Sequence, residues 1–260
     1  MVDLEQRMDS LATFVTNAHW QTVDLLYDVS LPNRVIECPL CGHGARREEY
    51  RHMSSECQFG GGRLERYACP ECELVFGPMK MLDLSDQMLS ADYRLLYETY
   101  AEANSLEAES RAFQACDPVP GGAYLNWGCG AWSETVETLR ASGWDVWGYE
   151  PSIPTKSPFV VQHDGEISAK FDGIFSNNVI EHFRDPVAEF RTMASHLKRG
   201  GRMTHATACY EMRYANTRFH TAFYLGNAVD MLAARAGLRV VGREKDQEGE
   251  YESVTFVHAD

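Results

Sequence analysis

Four of the eight cysteines stand in two CxxC pairs: Cys38, Cys41, Cys69 and Cys72. A CxxC turn directs two sulfur atoms at one point, and two such turns complete the tetrahedral ligand set that Zn²⁺ prefers. A proline after the first cysteine stiffens each turn. The spacing predicts a closed, structural zinc site that stabilises a small module and takes no part in catalysis. Three residues between the pairs offer alternative ligands: His43, His52 and Cys57.

A second pattern lies in "YLNWGCG", Tyr124–Gly130. A strand that runs into Gly128-Cys129-Gly130 and then into a helix lets the backbone approach a cofactor closely. Glu150 ends the next strand, "WDVWGYE", where a carboxylate can accept hydrogen bonds from both ribose hydroxyls. Dinucleotide-binding loops need a third glycine where this chain has Ser133, whereas S-adenosylmethionine (SAM) has no phosphate to accommodate. The pattern therefore favours SAM.

The bulk composition limits the partners. The net charge of -14 and the pI near 5.1 make nucleic acid an unlikely main partner, because phosphate binding needs clustered Lys and Arg. The N-terminus lacks the apolar core of a signal peptide, and no apolar run approaches the roughly 20 residues of a membrane span. We expect a cytoplasmic protein without a membrane partner, in which paired cysteines indicate metal rather than disulfides.

Several segments must position these residues. From Ala123 onward, strand-like and helix-like segments alternate, which predicts an α/β fold with a parallel, doubly wound sheet. The last two strands, "LRVVGRE" and "YESVTFVHA", have no helix between them and should form an antiparallel hairpin at the sheet edge. The predicted organisation is an N-terminal helix in 1–30, a zinc module in 31–80, a helical connector in 81–118 and the main domain in 119–260.

Four motifs in order, "YLNWGCG", "WGYEPS", "FDGIFSNNVIEHFRDP" and "LKRGG", resemble those of class I SAM-dependent methyltransferases. The resemblance covers the chain from about Tyr124 to Gly201. It implies a Rossmann-like seven-stranded sheet, here with an N-terminal helix and a small four-cysteine zinc module. Trp132 departs from the pattern where the family often has its last glycine. The zinc hooks resemble a subgroup with an N-terminal zinc ribbon, several members of which act on sugars.

The resemblance also implies roles for single residues. Gly128 and Gly130 should approach the methionine part of SAM, and Asn126 stands where the family usually has Asp. Glu150 should bind the ribose, and Asp164 should accept the adenine amino group. The full set of expected cofactor-binding residues is Asn126, Gly128, Cys129, Gly130, Glu150, Pro151, Asp164, Asn177 and Asn178.

Methyl transfer to a hydroxyl or carbon acid needs a general base. The expected catalytic residues are Glu181, His182 and His220. Arg213 and Arg218 could hold an anionic group of the acceptor, or be surface residues. Tyr93, Tyr97 and Tyr100 follow one another at helical spacing and either close over the cofactor or pack onto the domain.

These observations predict a methyltransferase that uses SAM and structural Zn²⁺ and acts on a small-molecule acceptor, such as a sugar or glycan precursor. Two alternatives stay open: an RNA methyltransferase that grips RNA with the zinc module, and a noncatalytic binding protein on a methyltransferase fold. The acidic net charge opposes the first, and binding of SAM would exclude the second. A homodimer is compatible with the sequence.

Overall fold

The computed structural model describes residues 4–97, 100, 104–130, 134–247 and 249–259. Its helices are α1 Leu4–Ser30, α2 Met79–Leu82, α3 Asp86–Tyr97, α4 Leu106–Ala115, α5 Glu134–Ala141, α6 Pro186–His196 and α7 Ala228–Arg235. Its strands are β1 Val35–Glu37, β2 Gly44–Arg46, β3 Arg51–Glu56, β4 Arg63–Ala68, β5 Leu74–Phe76, β6 Ala123–Trp127, β7 Asp145–Tyr149, β8 Val160–Val161, β9 Phe171–Asn177, β10 Leu197–Ala206, β11 Ala222–Tyr224, β12 Leu238–Lys245 and β13 Glu252–His258. Trp132 and Ser133 lie outside the described residues.

A seven-stranded sheet forms the main body, in the order β12-β13-β10-β9-β6-β7-β8. The five strands from β10 to β8 are parallel, and β13 runs antiparallel to β10 with β12 beside it at the edge. Strands β6 and β9 are almost continuously buried, as expected where helices cover both faces of a parallel sheet. The structure confirms the predicted α/β, Rossmann-like sheet and its terminal antiparallel hairpin.

The cysteine-rich segment forms a second sheet of four strands, in the order β11-β5-β4-β3. Strand β11 comes from far along the chain, after β10, and pairs antiparallel with β5. All three residues of β11 are buried. The segment between β10 and α7 is therefore tied directly to the cysteine-bearing sheet, which the sequence did not predict.

Helix α1 packs with one face against α2 and the start of β4. Trp20 is 3% exposed, and Asp24 forms an ion pair with Lys80, whose side chain is also 3% exposed. The outer face of α1 exposes a row of apolar side chains: Met8, Leu11, Phe14, Val15, Leu25, Leu26 and Val29. Within the described part of the chain, no helix has the length and apolar character that crossing a membrane requires. The homodimer stays a prediction.

Candidate active site and metal centre

The glycine-containing turn after β6 lies against the end of β7. The N–H groups of Gly128 and Cys129 both donate to the carbonyl oxygen of Tyr149, at 2.7 and 3.1 Å. Gly128 has a φ of +72°, and a Cβ atom there would lie 2.7 Å from Val179 Cγ2, so a side chain cannot be accommodated. Gly130 has a φ of +69°, but no described atom lies within 4 Å of where its Cβ would be. The turn thus presents an open backbone edge that a ligand can approach.

Glu150 follows β7 and is 6% exposed. Its Oε2 accepts the Gly130 N–H at 3.1 Å, and its Oε1 accepts the Ser152 N–H at 2.8 Å. One buried carboxylate therefore fixes both the turn after β6 and the chain after β7. It stands at the carboxyl end of the strand next to β6, which is where a ribose-binding carboxylate is expected.

A second buried carboxylate, Glu109 of α4, was not predicted. Its Oε2 accepts a hydrogen bond from Asn126 Nδ2 at 2.6 Å. Asn126 is fully buried, and its Oδ1 atom finds no donor among the residues that the structure describes. A buried acceptor without a donor costs free energy unless water or a ligand binds it. The Asn126 oxygen is therefore available to a ligand that carries N–H groups.

Both carboxylates act on the same turn. Burial raises the pKa of the Cys129 thiol well above its ordinary value, and the negative charges of Glu150 and Glu109 raise it further. The turn after β6 is thus exposed to negative charge from two side chains. A cationic ligand is stabilised by such a field, whereas a pyrophosphate is repelled.

The other predicted cofactor residues follow the ends of neighbouring strands. Pro151 comes directly after Glu150, and Asp164 begins a short 3-10 helix after β8; both are exposed. Asn177 ends β9 half-buried, and Asn178 is exposed with a φ of +53°. Because β8, β7, β6 and β9 are adjacent and parallel, all these residues lie together at the carboxyl ends of the strands. Their individual roles stay predictions.

His182 ends a 3-10 helix, Ile180–His182, just after β9. Its Nδ1 lies 3.0 Å from the Phe219 carbonyl oxygen and 2.9 Å from the Tyr93 hydroxyl. Because a carbonyl oxygen can only accept, Nδ1 carries the proton and Nε2 is the basic nitrogen. This half-buried histidine is therefore held in a tautomer that leaves one nitrogen free to accept a proton.

The tyrosines of the connector pack against the protein. The Tyr93 ring stacks on Phe219 with the ring centroids 4.5 Å apart, and Tyr97 lies beyond Tyr93 at 6.4 Å. Tyr100 contacts the Phe59 ring edge-on at 5.1 Å. These contacts favour the prediction that the tyrosines pack onto the domain over the alternative that they close over the cofactor.

The other two predicted catalytic residues lie beside His182. Glu181 is fully buried, and the ring centroids of His220 and His182 are 5.0 Å apart. His220 Nδ1 also lies 3.4 Å from the sulfur atom of Cys209. Burial lowers the pKa of His220 well below its ordinary value, and the charges of His182 and Arg66 lower it further. The structure therefore brings Glu181, His182 and His220 together.

The expectation that Arg218 holds an acceptor anion is wrong. Arg218 is 2% exposed, and two of its nitrogens each lie 2.8 Å from a carboxylate oxygen of Asp92. A third hydrogen bond runs to the Phe59 carbonyl oxygen at 3.0 Å. This bidentate pair already neutralises the guanidinium charge. Arg213 is half-buried and pairs with Glu211, with a nitrogen–oxygen distance of 3.1 Å.

The four paired cysteines converge on one point beside the four-stranded sheet. The sulfur atoms of Cys38 and Cys72 are 3.6 Å apart, and those of Cys41 and Cys69 are 3.5 Å apart. A tetrahedral four-thiolate zinc site has sulfur–sulfur edges of about 3.8 Å. Burial raises the pKa of Cys69 to about 11, so thiolates at this place need a cation. The donor set fits Zn²⁺, and among the described residues it does not include the three alternatives: His43, His52 and Cys57.

A seven-stranded sheet of this order, with a glycine turn after β6 and a carboxylate after the neighbouring β7, defines the Rossmann-like methyltransferase class. A family model described as "Methyltransferase domain" matches residues 99–241, more than half of the chain. The chain belongs to this family, and the prediction of an enzyme, a SAM-dependent methyltransferase, is confirmed. No curated protein sequence matches the chain significantly.

Solved structures show the same fold. A chain from the complex between the Haloferax volcanii Trm112 methyltransferase activator and its candidate methyltransferase is 13% identical, covering 68% of this chain and 100% of that one with a TM-score of 0.50. The CcbJ methyltransferase from Streptomyces caelestis is 14% identical over 64% of this chain and 95% of its own, with a TM-score of 0.48. The glycopeptide N-methyltransferase MtfA, solved with SAM, is 16% identical over 62% and 96%, with a TM-score of 0.46. At such identities the likeness concerns the fold alone.

Sequence reasoning missed two residues of this region, for different reasons. Glu109 lies on the buried stripe of α4, three and four residues before Ala112 and Phe113, so a charge inside an apolar stripe was a usable signal. Cys209 offered none, because it stands alone in a polar segment and its neighbours in space are distant in sequence.

Proposed function

We propose that the protein transfers a methyl group from SAM to a small-molecule acceptor with hydroxyl groups, a sugar or glycan precursor. The observation that carries the cofactor assignment is the pair of buried carboxylates, Glu109 and Glu150, beside the open turn at Gly128–Gly130. SAM is cationic at its sulfonium and ammonium groups and has no phosphate. Its charge therefore matches this turn, and that of a dinucleotide does not.

The residues present can bind each part of this cofactor. The backbone of Gly128 and Gly130 would approach its methionine part, and the free Asn126 oxygen together with Glu109 would accept hydrogen bonds from its ammonium group. The Glu150 carboxylate, at the carboxyl end of β7 and beside Gly130, would accept hydrogen bonds from the ribose hydroxyls.

When bound, SAM supplies an electrophilic methyl group, so the protein must orient the acceptor and take its proton. We assign the base to His182, whose Nδ1–H is engaged with the Phe219 carbonyl oxygen and whose Nε2 is the basic nitrogen. The Tyr93 hydroxyl lies 2.9 Å from the same Nδ1 atom and adds a second polar contact that holds the ring. A fixed ring keeps the basic nitrogen aligned with one acceptor atom.

Two features support a small acceptor with hydroxyl groups. The sheet edge offers half-buried or exposed polar side chains, among them Asn177, Asn178 and His182, that can hydrogen-bond hydroxyl groups. The protein's charge of -14 opposes a polyanionic acceptor such as RNA.

We also propose that Cys38, Cys41, Cys69 and Cys72 hold a structural Zn²⁺ ion as four thiolates. The two measured sulfur–sulfur distances and the burial of the group support this assignment. A site with four protein ligands leaves no position for substrate, so the ion would stabilise the module only.

Calorimetric titration of SAM into the wild-type protein and into the Glu150→Ala variant tests the cofactor assignment. Loss of hydrogen bonds to a charged group should weaken binding by about 1–3 kcal/mol. Asp145→Ala, which removes an exposed carboxylate from the opposite end of β7, is the matched control and should bind normally. Absence of SAM binding to the folded wild type would sink the proposal.

The acceptor is tested by incubating the protein with SAM and a panel of sugars, sugar nucleotides and short RNAs. Mass spectrometry should find a gain of one methyl group on a sugar-bearing compound, with release of S-adenosylhomocysteine. Methylation of RNA alone would overturn the small-acceptor proposal and leave the cofactor assignment intact.

A further inference from the structure

Glu181, Cys209 and His220 form a second cluster of side chains that bind metals. One ligand atom from each residue lies within 4.8 Å of the other two. Glu181 and Cys209 are fully buried, and His220 is partly exposed, which leaves a route for an ion from solvent. This cluster is separate from the four-cysteine group. It lies near the carboxyl ends of the parallel strands, where the acceptor is expected.

The three ligands stand on segments that are fixed by buried hydrogen bonds. The Tyr224 hydroxyl donates to the Ile180 carbonyl oxygen at 2.7 Å, next to Glu181. The Thr221 N–H, next to His220, donates to the Glu181 carbonyl oxygen at 2.8 Å. The two segments are thus held in register before any ion binds.

Arg66 fixes the loop that carries His220. Its guanidinium is 2% exposed and donates to the carbonyl oxygens of Ala215, Thr217 and His220, at 2.7, 2.7 and 3.1 Å. A buried arginine that donates hydrogen bonds to several backbone carbonyl oxygens restricts the positions that the loop can adopt. Such support of a ligand-bearing segment is typical of metal sites, because it sets the ligand directions in advance.

The donor types and one measured distance suit a transition metal. Sulfur, imidazole nitrogen and carboxylate oxygen are the three ligand types that zinc uses. With ordinary zinc–sulfur and zinc–nitrogen bond lengths, a tetrahedral site has a sulfur–nitrogen edge of about 3.5 Å. The Cys209 sulfur and His220 Nδ1 are 3.4 Å apart. Cys209 would bind such an ion as a thiolate, and its proton would be released as the metal binds.

We propose that Glu181, Cys209 and His220 bind a divalent transition metal of the zinc class and leave one coordination position open. Three protein ligands with an open fourth position characterise catalytic zinc sites, in contrast to the closed four-cysteine group.

The open position gives the ion a role that rests on the proposed methyl transfer. An acceptor hydroxyl or thiol bound there becomes more acidic. Its proton passes to His182 Nε2, the acceptor atom forms a bond to the methyl carbon of SAM, and the carbon–sulfur bond breaks with its electron pair left on sulfur. His182 lies close enough to serve, since its ring centroid is 5.0 Å from that of His220.

Metal analysis of the full chain tests binding without any assay of activity. Protein dialysed against Zn²⁺ and then metal-free buffer should hold two equivalents, one for each cluster. Cys209→Ser and His220→Asn should each hold one. Cys116→Ser, which alters another buried cysteine outside both clusters, is the matched control and should hold two.

Because His220 is partly exposed, His220→Asn should fold even if Cys209→Ser does not, and circular dichroism would verify this. A wild type that holds a single equivalent, lost in Cys69→Ser and kept in His220→Asn, would overturn the proposal.

Cobalt(II) tests the open position. In protein loaded with Co²⁺, azide should change the visible absorption, because it can ligate only an ion with a free position and the four-thiolate site has none. The same addition to Co²⁺-loaded His220→Asn should change nothing. If azide leaves the wild-type spectrum unaltered while two equivalents are bound, the open position does not exist. This result, unlike a failure to bind SAM, leaves the methyltransferase proposal untouched.

Discussion

At the residue scale, Glu109 carries the negative charge that the family usually has on an Asp at the position of Asn126. The family usually has Asp at Asn126, and here an amide stands there with its nitrogen 2.6 Å from the Glu109 carboxylate. Two carboxylates at that distance would not both ionise in a buried site. The amide therefore permits Glu109 to carry the negative charge close to the cofactor turn.

Glu109→Gln should weaken SAM binding at least tenfold, because it removes the charge from the buried carboxylate that we propose binds the ammonium group. Calorimetry measures the affinity. Glu107→Gln, an exposed change on the same helix, should leave the affinity at the wild-type value. Equal affinities for all three proteins would show that the ammonium is bound by other groups.

His205 should make the protein sensitive to mild acid. It is fully buried in β10 beside the Ser176 hydroxyl, and burial lowers its pKa to about 3, against about 6.5 when unfolded. Between these values the unfolded chain binds a proton that the folded chain does not, so stability falls as the pH drops below about 6.5, by about 1.4 kcal/mol per pH unit.

Urea unfolding at several pH values measures this contribution. From pH 6.5 to 5, the wild type should lose about 2 kcal/mol more than His205→Gln does. Identical losses in the two proteins would show that His205 does not bind a proton on unfolding in this range.

At the element scale, α1 is held to α2 by a buried ion pair. Lys80 Nζ lies 2.7 Å from Asp24 Oδ1 and 2.6 Å from the Gly61 carbonyl oxygen, and it also lies over the Trp20 ring. An uncompensated buried lysine is costly. The pair therefore makes the docking of α1 depend on Asp24.

Asp24→Asn should lower the free energy of unfolding by about 3 kcal/mol, because it leaves Lys80 buried without its carboxylate. Denaturant titration gives the value. The matched control is Asp28→Asn, one turn further along, which breaks a solvent-exposed pair with Arg63 and should cost less than about 1 kcal/mol. Equal losses of unfolding free energy in the two variants would show that the buried ion pair contributes no more to stability than the exposed one.

Elements with local signals were predictable, and elements that depend on distant partners were not. The alternation from Ala123 onward predicted the strand before the glycine turn, and β6 is present at Ala123–Trp127. Strand β11 has three residues in a polar segment and exists because β5 lies beside it, a pairing that no local pattern encodes. The same applies to Cys209 and His220, which only the fold brings together.

At the scale of the whole molecule, the four-cysteine module and the methyltransferase sheet share structure. Strand β11 carries the chain from the candidate active site into the module's sheet. Disturbing the four-cysteine cluster, the proposed zinc site, should therefore affect the region around His220 as well. The predicted domain boundaries and the cytoplasmic location stay predictions.

Cys69→Ser should lose one equivalent of zinc and unfold at a lower temperature, since metal binding to such sites contributes about 10 kcal/mol or more to folding. Metal analysis and circular dichroism measure both effects. Limited proteolysis should then also cut more readily between residues 208 and 221. Cys57→Ser, outside the cluster, should retain its metal. Full metal content in Cys69→Ser would refute the four-thiolate site.

Strand β11, which belongs to the module's sheet, limits how far the chain can be shortened and still fold. Protein cut down to residues 81–260 would keep Ala222–Tyr224 but lose β5, its neighbour in the sheet. Three apolar residues and an unpaired backbone edge would then face water, and such edges recruit other chains. A catalytic fragment without its metal module should therefore be recovered as aggregate, whatever residues its cofactor turn retains.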